Sequence, residues 1–144
     1  MSKAYEVFLS YSSKDELIVR RLAAFLPSQG LKCWRAFNPK DHPAARDWAD
    51  AIAEGLCQSV SVVLLFSSHA AASPYVKEEI AMPVNERIPE LVVQLERIKP
   101  ALGLRYRLAE LQFLVAAGRD RPFAKWSVEV VQRVREAVPQ QREA

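Results

Sequence analysis

A chain of 144 residues, half of them hydrophobic and 26% charged, has the length and balance of one globular domain with a real core. No apolar run approaches a membrane span, and the first residues lack the long apolar segment of a secretory leader, so a cytoplasmic protein with no membrane partner is expected. The formal charge of +3 is uneven: residues 1–96 carry 10 Lys or Arg against 12 Asp or Glu, and residues 97–144 carry 10 against 5.

Tyr5-Glu-Val-Phe-Leu-Ser-Tyr11 is a β-rich run and predicts the first strand. A polar turn follows at Ser12–Asp15. Residues Glu16 to Leu26 place Leu17, Ile18, Leu22, Phe25 and Leu26 at helical spacing, and Pro27 and Gly30 stop that helix. Leu31–Arg35 predicts a second strand, then a polar loop from Ala36 to Ala44 punctuated by Pro39, Asp41 and Pro43. Asp47–Gln58 predicts a helix with Trp48, Ala51, Ile52 and Leu56 on one stripe. Val60-Ser-Val-Val-Leu-Leu-Phe66 is a continuous apolar run, as expected of a central strand covered on both faces.

Ser73 is then suited to cap a helix and Pro74 to fill its first position, where a missing N–H costs nothing. Tyr75 and Glu79 follow, four residues apart on one helical face, and Pro83 kinks or ends that helix. Leu91–Leu95 predicts a fourth strand, Lys99–Arg107 a loop with a short turn, and Leu111–Val115 a fifth strand. The closing helix spans Trp126–Val138, with Val128, Val131, Val134 and Val138 at helical spacing. Pro139–Ala144 reads as a polar tail or the start of a linker to a further domain, leaving 1–138 as the folded unit.

Strands alternating with helices imply parallel crossovers. The expected fold is therefore α/β, a flavodoxin-like doubly wound domain with a five-stranded parallel sheet flanked by helices. Such sheets bind ligands outside the carboxyl ends of their strands. The Ser12–Asp15 turn, the loop after strand two, the Ser67–Pro74 loop, and Tyr75 and Glu79 all fall on that edge. The aromatics of the basic C-terminal third, Tyr106, Phe113, Phe123 and Trp126, sit among apolar residues and read as core, so nucleic acid is not the expected partner. Cys33 and Cys57 also have apolar neighbours and no Cys-x-x-Cys partner. They read as buried free thiols, and no metal site is expected.

Several five-stranded chemistries are disfavoured. Phe66-Ser67-Ser68 offers no aspartate for a phosphorylatable receiver domain. Ser10-Tyr11-Ser12-Ser13-Lys14 has no glycine for close approach to a flavin phosphate. No P-loop and no Gly-x-Ser-x-Gly elbow occur. One pattern does fit. Tyr5-Glu-Val-Phe-Leu-Ser-Tyr-Ser-Ser-Lys-Asp15 resembles the opening motif of TIR (Toll/interleukin-1 receptor) domains. Gly30–Trp34 resembles their second strand, and Val62–Ser67 followed by Ser73–Ile80 their third strand and next helix. Trp126-Ser-Val128 is similar to the start of their last helix. The resemblance covers roughly residues 5–138 and departs in three places. Arg35-Ala36-Phe37 stands where an acidic residue often follows strand two. Pro43-Ala44-Ala45 lacks the usual glycine. Tyr75 stands where the family often has Trp.

The resemblance implies one of two functions. Some TIR domains are scaffolds acting through TIR–TIR interactions; others, including many from bacteria, cleave NAD+ at the nicotinamide–ribose bond. The second reading makes the chain an NAD+ glycohydrolase, with possible cyclase activity, acting as an immune or defence module. The family's catalytic glutamate maps to Glu79, not to Glu78, which points about 100° away around the helix. Ser10, Tyr11, Ser12, Phe37, Trp48 and Tyr75 are the implied substrate-binding residues. NAD+ is then substrate, no cofactor is needed, and other TIR domains and a sensor domain or protein are the expected partners. A nucleoside-transferring enzyme of similar topology is a third possibility.

Overall fold

The computed structural model describes residues 4–35, 54–72, 88–96, 112–116 and 122–143, the side chains of 138–143 excepted. Five strands, β1 (Tyr5–Ser10), β2 (Cys33–Arg35), β3 (Ser59–Phe66), β4 (Glu90–Gln94) and β5 (Gln112–Val115), form one sheet in the order β2-β1-β3-β4-β5. Every pairing is parallel. This is the expected doubly wound arrangement. The strand order reverses between β1 and β3, so a topological switch point lies at their carboxyl ends.

Both faces of the sheet are covered, which is why β3 is apolar along its length and all eight of its residues are buried. On one face α1 (Glu16–Ser28) and the last helix, α3 (Phe123–Glu143), pack on Val7, Leu9, Val63, Leu65 and Val93 through Val19, Leu22, Leu26, Trp126, Val130 and Val134. Arg21 lies 4.2 Å over the Phe123 ring and Arg135 donates to the Gln29 carbonyl at 2.9 Å, so the two helices are also tied at their surface. On the other face Phe8, Val62 and Trp34 pack with Leu56 and Ile88. Phe8 and Trp34 stack with centroids 4.7 Å apart, and residues 54–57 are helical, bringing Gly55 against the indole.

The turn from α1 into β2 is built by Gly30, whose φ of +82° an L side chain rarely adopts. Its N–H donates to the Pro27 carbonyl and that of Leu31 to Leu26, both at 3.0 Å. Leu26 and Leu31 are both buried in the same core. The helix therefore closes in a Schellman motif with its apolar contact, passing through Pro27 before it ends. Leu31 and Lys32 belong to this exit, leaving β2 shorter than the sequence predicts.

Other expectations shift in ways the geometry explains. Leu17 is 81% exposed, because Val19, Leu22 and Leu26 define the buried stripe and Leu17 lies on the far side of the helix. Val128 is likewise 45% exposed, since Trp126, Val130 and Val134 form the i, i+4 row against the sheet. Phe113 is exposed at the sheet edge, with only Leu114 of β5 in the core. The last helix starts at Phe123 because the Pro122 carbonyl accepts the first helical N–H groups, from Lys125 and Trp126, and it continues to Glu143. Cys57 is exposed rather than buried.

Candidate active site

At the carboxyl edge, polar side chains lace together the ends of β1, β2, β3 and β4. After β1, Ser12 opens a 3-10 turn, Ser13–Asp15. Its Oγ accepts the Lys14 N–H at 3.3 Å and its carbonyl accepts that of Asp15 at 2.9 Å. Glu16, in the first turn of α1, reaches Arg20 at 3.3 Å and Arg35, the last residue of β2, at 3.4 Å. After β3 the chain turns helical at once, in the short α2 (Ser68–Ala72), where the sequence predicts a loop up to Ser73. Ser67 is the reason. Its Oγ accepts the Ala70 N–H at 3.1 Å, capping the turn, and its hydroxyl donates to Asp15 Oδ2 at 2.5 Å. Glu96, beyond β4, accepts from the Ser68 N–H and hydroxyl at 3.2 and 3.1 Å.

Three predicted site residues fall on this edge. Ser10 ends β1 and is buried, and Ser12 is buried at the cap just described. Tyr11 is 0% exposed and packs in the α1/α3 core with Val7 and Leu9, the alternate residues of the same run. Its ring is a core ring, presenting no surface at the edge. Phe37, Trp48, Tyr75 and Glu79 lie outside the described residues, as does the helix expected from Ser73. Asp15, Ser67 and Glu96 were not singled out by sequence. The Ser67 cap has a local signal, a serine ahead of Ser-His-Ala-Ala-Ala. The Asp15 partnership, across 52 residues, has none.

Glu16 and the two arginines it meets are the paired charges of this region. Among the described residues no group of three or more His, Cys, Asp or Glu side chains is placed to hold a metal ion, and no helix is long and apolar enough to cross a membrane. Burial pushes the Cys33 thiol up to about 11, with Arg35 opposing and Glu6 adding to the rise. A thiol so held is a poor nucleophile at neutral pH. What the edge offers chemically is hydroxyls, carboxylates and backbone N–H groups around the switch point.

Comparison with known proteins adds a family. The model of the family described as TIR domain matches residues 7–125. A search of curated proteins returns no match. Among solved structures, the TIR domain of the Toll-related receptor TRR-2 from Hydra magnipapillata superposes with a TM-score of 0.75 at 16% identity, covering 92% of this chain and 99% of that one. A metazoan TIR-STING receptor from C. gigas, in complex with 2',3'-cGAMP, gives 0.65 at 19% identity over 92% of this chain and 40% of that one. The RPS4 and RRS1 TIR domain heterodimer gives 0.63 at 13% identity, covering 92% and 96%.

Proposed function

The chain belongs to the TIR domain family, and from that premise we propose that it cleaves NAD+ at the nicotinamide–ribose bond, releasing nicotinamide and ADP-ribose or a cyclic form of it. The observation that carries this reading is the laced polar edge on both sides of the β1/β3 switch point, where doubly wound sheets receive ligands. Glu79 is the proposed catalytic residue, in the segment that follows β3 and α2. Tyr75 is the proposed stacking ring one turn before it, and Ser10 and Ser12 the hydroxyls nearest the ribose and phosphates. Phe37 and Trp48 complete the pocket in this reading, and Tyr11 supports it from within the core.

One carboxylate suffices for a physical reason. Ordinary glycosides need an acid to protonate a leaving alkoxide. The nicotinamide of NAD+ departs neutral, taking the electron pair of the broken N–C bond. The remaining task is to stabilise positive charge developing on the ribose, which a carboxylate close to the sugar does. Water then adds to the anomeric carbon and loses a proton to solvent, or a nucleophile of the same molecule adds and gives a cyclic product.

The test is incubation of the purified chain with NAD+ at high protein concentration, with and without a crowding agent, and chromatographic identification of products. Nicotinamide release abolished in Glu79→Ala and retained in Glu78→Ala supports the assignment. Equal turnover by wild type and Glu79→Ala refutes it. The likeness to the RPS4 and RRS1 heterodimer supports a second reading, a scaffold that acts by pairing with other TIR domains. That reading expects concentration-dependent association and no nicotinamide from any variant. Within the catalytic reading the same association is the proposed route to activation, in a cytoplasmic immune or defence setting with a sensor domain or protein upstream.

A further inference from the structure

Asp15 stands at the N-cap position of α1, where an aspartate ordinarily accepts an N–H from its own helix. It makes no such bond. Its carboxylate instead accepts a hydrogen bond from the hydroxyl of Ser67, 52 residues away and buried between β3 and α2. Ser67 is thereby fixed from both ends. Its Oγ accepts from Ala70 at 3.1 Å and its carbonyl from Ala71 at 3.0 Å, while its proton points at Asp15. A helix of five residues cannot sustain itself, because nucleation fixes several residues for few bonds. The first turn of α2 is held by neighbours, Asp15 through Ser67 and Glu96 through Ser68.

We propose that Asp15 is a positioning residue for the reaction: it sets the direction in which the chain leaves β3, and so aims the segment on which Glu79 lies. This rests on the assignment of Glu79 made above. The alternative, that Asp15 serves α1 alone, is at odds with the absence of a capping bond to that helix.

The experiment compares wild type, Asp15→Ala, Asp15→Asn and Ser67→Ala in the full chain, by steady-state NAD+ kinetics and by amide hydrogen exchange at Ala70 and Ala71. The expected result for Asp15→Ala is a fall in kcat of about ten-fold, KM within about two-fold of wild type, and exchange at both amides faster by about ten-fold. Asp15→Asn keeps an oxygen that accepts from Ser67 and is expected to recover most of the loss. A double variant, Asp15→Ala with Ser67→Ala, is expected to be no worse than the weaker single variant. An unchanged kcat in Asp15→Ala, or an Asn variant as impaired as the Ala variant, overturns the proposal. If wild type releases no nicotinamide, the assignment of Glu79 fails on its own. Faster exchange in Asp15→Ala then still sustains the anchoring of α2, and unchanged exchange overturns it.

Discussion

Replacing Gly55 by alanine tests the packing on the second face of the sheet. A Cβ on Gly55 would stand 2.8 Å from both Cδ2 and Cε2 of Trp34 and 3.1 Å from Cε3. Carbon atoms in ordinary contact sit about 3.5–4.0 Å apart, so the ring must move by a good fraction of an ångström. It has little room to do so. Phe8 lies stacked behind it at 4.7 Å, itself fully buried in the sheet. Against this, alanine is favoured over glycine in a helix by about 1 kcal/mol. Overpacking of a filled core costs about 1–3 kcal/mol, and the rigid ring argues for the upper part of that range. A net destabilisation of about 1–2 kcal/mol is expected. For a chain of this length that lowers Tm by roughly 3–8 °C. Circular dichroism melts of wild type, Gly55→Ala, Trp34→Leu and the double variant provide the assay, with the double variant expected to lose less than the two singles combined. A Gly55→Ala protein that melts at or above wild type refutes the reasoning: helix propensity would then outweigh the contact, and the indole would not be pinned.

Gly30→Ala is expected to cost about 1–2 kcal/mol although nothing lies within 4 Å of the new Cβ, since the penalty is that of a left-handed backbone alone; urea denaturation measures it, and Gly30→Asn should cost less. In a thiol-labelling experiment at about pH 8, exposed Cys57 should react first and Cys33 lag, because the Cys33 thiol stays protonated until about 11. Raising the pH from about 9 toward 11 should destabilise the fold, since the unfolded thiol ionises before the folded one and the folded state then holds the extra proton. Glu79→Ala should reduce kcat for NAD+ roughly 100- to 1,000-fold, the scale of removing one group aimed at developing charge, whereas Glu78→Ala should stay within about two-fold of wild type, as read by nicotinamide release.

The sheet was legible because its physics is local. An unbroken apolar run such as Val60–Phe66 has few readings other than a strand covered on both faces, and the alternation of strands with helices then fixes parallel crossovers. Helix faces are less legible where an apolar residue falls off the stripe, as at Leu17 and Val128. The helical turn at Ser68–Ala72 is obscured in the sequence by a stronger signal nearby, since Ser73-Pro74 is a better helix start than the serine six residues earlier. The Ser12 cap follows from a serine at a turn. The burial of Tyr11 follows from the period-two alternation it shares with Val7 and Leu9. The bond between Asp15 and Ser67 follows from no local pattern, because only the folded sheet brings the ends of β1 and β3 side by side.

The placement of β1 has a consequence for how the chain is made. Val7 pairs with Cys33 on one side and Ser61 on the other, so the first of these five strands to be synthesised becomes an interior strand whose second neighbour is synthesised 54 residues later. At ordinary elongation rates that is an interval of roughly 3–10 s. Through it Val7, Phe8 and Leu9 form an apolar strand with at least one bare edge, a template on which a chaperone, or the same strand of a neighbouring nascent chain, can settle before β3 arrives.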